Sequence, residues 1–150
     1  MADFPRLAAL AVVLRDGHLL LVRRKNEPDA GLWGYPGGQV DLGETAGEAA
    51  VRELREETSV IAAPRAYIDS LDIIRRAEDG AVSFHFLLVA VLCDYVEGVP
   101  VAADDVTEAK WVPFETVLNR ALPLSKDVDT VLKHALSQTG QAPFAAPPGG

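Results

Sequence analysis

Residues 38–60 read GQVDLGETAGEAAVRELREETSV. Thr45 and Glu48 stand at capping-box spacing, where the threonine hydroxyl and the glutamate carboxylate satisfy orphan amides at a helix start. The pattern predicts a helix from about Ala46 to Thr58. At the helical step, Glu53, Glu56 and Glu57 fall within an arc of roughly 100°. Leu54, Val51 and Ala50 form the adjoining apolar stripe, and Glu48, Arg52 and Arg55 fall on the side away from the acids. Most charge runs of this kind are solvated helix surface laced with ion pairs. Two features argue otherwise here. Like charges at i,i+3 and i,i+4 repel by a few tenths of a kcal/mol per pair, roughly. Ala46 and Ala49 share the acid arc and leave it open to a ligand. A hard divalent cation, Mg²⁺ or Mn²⁺, takes carboxylate oxygens as its natural ligands and accounts for both.

Upstream of this helix, the apolar run Leu7–Leu14 is followed by Asp16-Gly17 and a second run, His18–Arg23. That arrangement reads as a β-hairpin with a two-residue turn. Residues 24–38 carry Asn26, Pro28, Gly31, Gly34, Pro36, Gly37 and Gly38, a density of turn formers that predicts a loop. Downstream, Tyr67–Arg75 and Val82–Leu92 read as strands joined across Glu78-Asp79-Gly80. Ala109–Val112 adds a short strand, and Pro113 opens a short helix through Leu118. Ser125 is the expected cap of a helix over Lys126–Leu136, where Val128, Val131, Leu132 and Leu136 have helical spacing. Residues 1–137 are therefore expected to form a single domain and residues 138–150 a disordered tail.

The chain has 150 residues, enough for one domain with one sizeable core. Its formal net charge of −8 speaks against a protein that holds nucleic acid through phosphates alone. The same charge means that a phosphate substrate would need metal ions. The lone Cys93 cannot form an internal disulfide, and nothing resembles a zinc ligand set, so a reduced, cytoplasmic setting is expected. The N-terminus lacks the features of a signal peptide, and no apolar run approaches the roughly 18 residues of a membrane span.

Gly38, Glu44 and Arg52-Glu53-Leu54-Arg55-Glu56-Glu57 stand at the spacing of the Nudix box. In words, that pattern is Gly, five residues, Glu, seven residues, Arg-Glu, an aliphatic residue, any residue, Glu-Glu, any residue, Gly, aliphatic. The chain resembles a Nudix hydrolase, most nearly the small bacterial ADP-ribose pyrophosphatase-like branch. One position departs. Ser59 replaces the glycine just past the helix, where a left-handed backbone is often needed and another residue costs on the order of 1 kcal/mol.

The resemblance implies an α/β Nudix fold, an α/β/α sandwich with a mixed β-sheet between helices. It implies a metal-dependent pyrophosphohydrolase that cleaves the diphosphate linkage of a nucleoside diphosphate derivative, with ADP-ribose or a similar nucleotide sugar favoured. Glu53, Glu56 and Glu57 would hold Mg²⁺ or Mn²⁺, joined by the Gly37 carbonyl and by Asp105, which precedes Trp111. Glu53 is a candidate general base, and Arg52 would tie the helix to Glu44. Gly37 and Gly38 would let the backbone approach metal or phosphates. Arg23 is a candidate phosphate contact, with Arg24 beside it, while Trp33 and Tyr35 read as packing residues rather than base-stacking ones.

Two other functions stay open at this stage. One is a nucleoside triphosphate pyrophosphatase of the nucleotide-pool-cleaning type, in which Arg75 and Arg76 meet a longer phosphate chain. The other is a non-catalytic Nudix ligand-sensing module, against which the presence of all three box acids argues. The expected partner is a small nucleotide, with no membrane and no nucleic acid. Homodimers are frequent in the family and are an expectation here as well.

Overall fold

The structure is a computed structural model describing residues 4–27 and 29–139. The expected hairpin forms from β1 (Arg6–Arg15) and β2 (His18–Arg24), closed by Asp16 and Gly17 at φ 50° and 76°. Two successive left-handed residues match the twist of the strands they join. The helix α1 (Ala46–Thr58) carries the full capping box: Glu48 N–H donates to Thr45 Oγ1 at 3.0 Å and Thr45 N–H to Glu48 Oε1 at 2.8 Å. Ser59 ends it in the left-handed conformation, at φ 65°, as the substituted motif position requires.

Two short strands lie within the segment expected to be loop: β3 (Trp33–Gly34) on β2, and β4 (Gly37–Gln39) on β1. Turn-forming residues dominate that segment, yet glycine is what admits β4. A Cβ on Gly37 would fall on the Ala9 carbonyl oxygen and lie 2.9 Å from Leu10 Cα. Beyond α1, β5 (Ile61–Arg76) and β6 (Val82–Glu97) form a hairpin that runs past the predicted apolar runs at its open end, turning at Gly80 with φ 87°. Strand β7 (Val106–Pro113) also starts earlier than expected, because it pairs along the whole of β2.

The short helix α2 (Phe114–Leu118) follows Pro113, and α3 (Val128–Thr139) closes the described chain. Helix α3 starts later than expected. Its hydrogen-bond ladder begins with Val131 N–H to the Asp127 carbonyl, while Ser125, expected to cap it, has its Oγ buried without a partner. Gln138 and Thr139 belong to α3 rather than to a tail; the remainder of the expected tail lies outside the described residues.

The sheet is mixed, in the order β3-β2-β1-β6-β5, with β4 added to β1 and β7 to β2. Strand β1 is its pivot, parallel to β6 and antiparallel to β4 and β2. Alternation along β1 sends Ala9, Ala11 and Val13 to a core against α1 that includes Ala49, Ala50 and Leu54. Val12 faces the opposite core, with Phe114 of α2 and Val131, Leu132 and Leu136 of α3. This is the expected sandwich of helices about a mixed sheet. Trp33 and Tyr35 are buried in the second core, and the Tyr35 hydroxyl donates to the Val128 carbonyl at 2.7 Å. Cys93 is buried, and desolvation pushes its thiol up to about 12, so it packs as a small neutral side chain.

Leu132 is wholly buried, whereas Leu42 is fully exposed. Leu132→Ala is expected to lower unfolding stability by about 2–5 kcal/mol, and Leu42→Ala to stay within roughly 0.5 kcal/mol of the parent. Urea titration of the two variants checks this.

Candidate active site

Strand β4 and helix α1 bring the box residues together. A Cβ on Gly38 would stand 2.6 Å from Glu53 Cδ, so glycine is what lets the strand lie against this carboxyl group. On the same strand, Gly37 N–H donates to Glu57 Oε1 at 3.3 Å. Glu57 is one of two buried polar or charged residues among those described, the other being Thr58. Burial pushes the Glu57 carboxyl up to about 8, reinforced by a hydrogen bond and like charge from Glu53 and by the charge of Asp105; the Gly37 amide opposes the shift. The expected ligand Asp105 therefore stands within electrostatic reach of Glu57. Its loop is held by Lys25 N–H donating to the Asp105 carbonyl at 3.0 Å, and by Ala103 N–H donating to the Glu57 carbonyl at 3.0 Å.

Arg52 is the correction to the helical-wheel reading. It was expected on the side away from the acids, yet its long side chain curls over them. Its guanidinium donates to Glu53 Oε1 at 3.0 Å and to both oxygens of Glu56 at 3.3 Å. It also grips Glu44 through two bonds, at 2.7 and 3.0 Å, and the Gln39 carbonyl at 3.0 Å. The wheel places Cα–Cβ directions, whereas a guanidinium reaches several ångströms past its own arc. The expected tie to Glu44 is present. Hydrogen bonds from Arg52, and then from the Asp41 amide, lower the Glu44 carboxyl to about 2, so it stays charged throughout the physiological range.

Among the described residues, no three carboxylate, histidine or cysteine side chains are already gathered into a coordination shell. Glu53 and Glu57 converge, while Glu56, whose side chain is 45% exposed, lies under Arg52. The donor set nevertheless fits a hard divalent cation. Two carboxyl groups share a confined, partly buried place, their mutual repulsion is what a cation would relieve, and an adjacent backbone is bare of side chains.

Across β4 from α1, a cavity of about 340 Å³ opens on the α3 side of the sheet. Gly37 and Gly38 border it, and Leu71, Phe84 and Phe86 supply apolar walls. Arg24 lines this cavity, not Arg23. Arg23 instead donates to Glu108 and to the Gly31 carbonyl, each at 3.1 Å. The pairing of β2 with β7 shifts register between these two arginines, so simple alternation did not show which one turns inward. The sequence reading also passed over Phe84 and Phe86, whose i,i+2 spacing in a strand puts both on one face. Arg75, weighed as a contact for a longer phosphate chain, lines the same cavity.

The chain belongs to the NUDIX family, whose domain pattern matches residues 4–134. It is 33% identical over 129 residues to an ADP-ribose pyrophosphatase of Methanocaldococcus jannaschii, an alignment covering 86% of this chain and 72% of that one. A MutT NUDIX hydrolase from Burkholderia pseudomallei shares the fold at a TM-score of 0.75 and 28% identity, covering 88% of this chain and 98% of that one. The NUDIX domain of Shewanella oneidensis NrtR, in complex with ADP ribose, matches at a TM-score of 0.73 and 25% identity, covering 92% of this chain and 90% of that one. No helix among the described residues is long and apolar enough to cross a membrane.

Glu57 holds protons in the folded state that an unfolded glutamate, with its ordinary value of 4.5, releases. The stability it contributes is full below that value and lost as pH rises through about 8. The metal-free protein is expected to lose thermal stability across this window, and Glu57→Gln to flatten the fall. Calorimetry of both proteins from acid to mildly alkaline pH, with and without Mg²⁺, is the measurement; Mg²⁺ should remove the slope in the parent only. For Gly38→Ala, the added Cβ meets Glu53, so the expected outcome is weakened Mg²⁺ or Mn²⁺ binding by titration calorimetry in a protein that remains folded by circular dichroism.

Proposed function

We propose that this chain is a metal-dependent pyrophosphohydrolase that cleaves the diphosphate linkage of a nucleoside diphosphate derivative, ADP-ribose or a similar nucleotide sugar. One observation carries the reading: Glu53 and Glu57 converge on the two glycines of β4, which also border a largely apolar cavity of nucleotide size that Arg24 and Arg75 line. Similarity to the pyrophosphatase of M. jannaschii and to the ADP-ribose-bound domain of NrtR supports the substrate class.

Glu53, Glu56 and Glu57, with the Gly37 carbonyl and Asp105, are the residues that would hold Mg²⁺ or Mn²⁺. When bound, such an ion neutralises the pyrophosphate and lowers the pKa of a water. The chain's own contribution is placement. Arg52 anchors the acids to the loop through Glu44, so it acts as a positioning residue. Glu53 lies against the Gly38 backbone, where a carboxylate can take a proton from a water aligned with the scissile bond. Gly37 lets β4 lie close on β1 and Gly38 lets it lie close on the Glu53 carboxyl, which keeps the backbone thin beside the acids. At the cavity, Arg24 takes the phosphate-facing role expected of Arg23.

The test is product release with Mg²⁺ and with Mn²⁺ from a panel of ADP-ribose, nucleotide sugars, dinucleoside polyphosphates and nucleoside triphosphates. Cleavage of ADP-ribose or a nucleotide sugar is expected, and Glu57→Gln should lower kcat by at least about a hundredfold through loss of a charged ligand. Exclusive cleavage of triphosphates would replace this substrate class. Full activity of Glu57→Gln would sink the assignment of the acids.

A further inference from the structure

Strand β5 ends the sheet, with β6 on one side and no described strand on the other. Such an edge offers a row of amides and carbonyls to any strand that can reach it, and most proteins blunt it. The two halves of β5 differ in this respect. Its first half carries Pro64, which has no amide hydrogen, and its pairing with β6 slips between Pro64 and Ala66 and again between Tyr67 and Asp69. From Asp69 to Arg75 the register runs without a break. That half keeps a regular edge.

Alternation fixes which groups face outward. Ala77 N–H donates to the Ala81 carbonyl at 2.8 Å across the hairpin, so Ala77 turns inward, and Ser70 N–H is taken by Asp69 Oδ1 at 2.9 Å. In an antiparallel pair, successive residues point their backbone groups to opposite sides. Asp72, Ile74 and Arg76 therefore present theirs away from β6. Their side chains share the sheet face opposite the cavity, which Leu71, Ile73 and Arg75 line. All three are exposed, Ile74 at 48%. Among the described residues the Asp72 carboxylate has no hydrogen bond or ion pair, and the Arg76 guanidinium donates only to the Gly80 carbonyl, at 3.1 Å. An acid, an apolar residue and a base thus stand at two-residue steps on one unpaired edge.

We propose that this edge binds a second copy of the chain, the two β5 strands pairing antiparallel about a two-fold axis at Ile74. Ile74 then meets Ile74 of the second copy, and Asp72 meets Arg76 on both sides of the axis. Opposite charges directly across an antiparallel pair stabilise it, and like charges oppose it. Among axes on neighbouring residues, only this one pairs the charges. An axis at Asp72 sets two carboxylates against each other, one at Ile73 leaves Asp72 and Arg76 opposite uncharged residues, and one at Arg75 sets Asp72 against Glu78. With the axis at Ile74, outward groups meet outward groups, so each pair exchanges both of its backbone hydrogen bonds. A second copy fits better than an unrelated strand because the order acid, apolar, base, read backwards, is its own complement. The contact is isologous and closes at two copies. It uses none of the active-site assignments.

Sedimentation velocity over a range of concentrations tests the proposal on the full chain, with folding followed by circular dichroism. The parent should approach twice the mass of one chain. Asp72→Arg and Arg76→Asp each set like charges opposite at both ends of the contact and should weaken the dimer by about tenfold or more. The double variant should recover it, a rescue that a merely loosened hairpin would not show. Ile74→Cys gives a second reading. Residues in a hydrogen-bonded pair lie about 5.5 Å apart at Cα, within reach of a disulfide, so oxidation should yield a linked dimer. The native Cys93 is buried, and Asp72→Cys, displaced along the strand from its counterpart, should not link. A parent that stays monomeric at every concentration, a dimer untouched by either charge reversal, or no recovery in the double variant would each overturn the proposal. So would a link formed through Asp72→Cys instead of Ile74→Cys, or growth beyond two copies.

Discussion

The active face depends on how closely one strand can lie between two neighbours. Strand β4 is held on β1 by pairing of Gly37 with Leu10 and Gly38 with Ala9, while its other side presses on α1. A Cβ at either glycine would collide, with backbone in one case and with the Glu53 carboxyl in the other. Because nothing projects there, the acids of α1 and the apolar cavity stand on opposite sides of a single thin strand. The acids and the cavity thereby become neighbours although they belong to different layers of the sandwich.

Arg52 does for the helix what the glycines do for the strand. One guanidinium bonds Glu44, the Gln39 carbonyl, Glu53 and Glu56. Its planar fork suits several oxygens at once, which an ammonium could match only as a point charge. The cluster is electrostatically lopsided: one cation serves the carboxylates of Asp41, Glu44, Glu53 and Glu56 while Glu57, left out, is pushed towards its neutral form by burial and by Glu53. Carboxylates outnumber the one guanidinium here, and that is the kind of donor set a hard divalent cation suits.

The fold around this site is conventional in its energetics. Alternate residues of β1 feed two cores, with α1 on one face and α2 and α3 on the other. The left-handed Ser59 shows that the turn after α1 retains the geometry that glycine serves elsewhere in the family, at a strain a single residue can bear.

Local patterns alone determined much of this protein. The capping box at Thr45 and Glu48, the Asp16-Gly17 turn, the left-handed position of Ser59 and the spacing of the acids are set by interactions within a few residues, which is why they were legible before any tertiary contact was known. Tertiary structure decided the rest. Gly37 and Gly38 form a strand because β1 offers them a partner, against their own preference for turns. Arg52 leaves its helical arc because long-range oxygens attract it. Arg24 faces the cavity in place of Arg23 because β7 shifts register against β2, and Asp127 borders that cavity only because α3 and the distant β5–β6 hairpin pack around the same space. Each of these depends on a contact between segments far apart in the chain, which short-range spacing cannot encode.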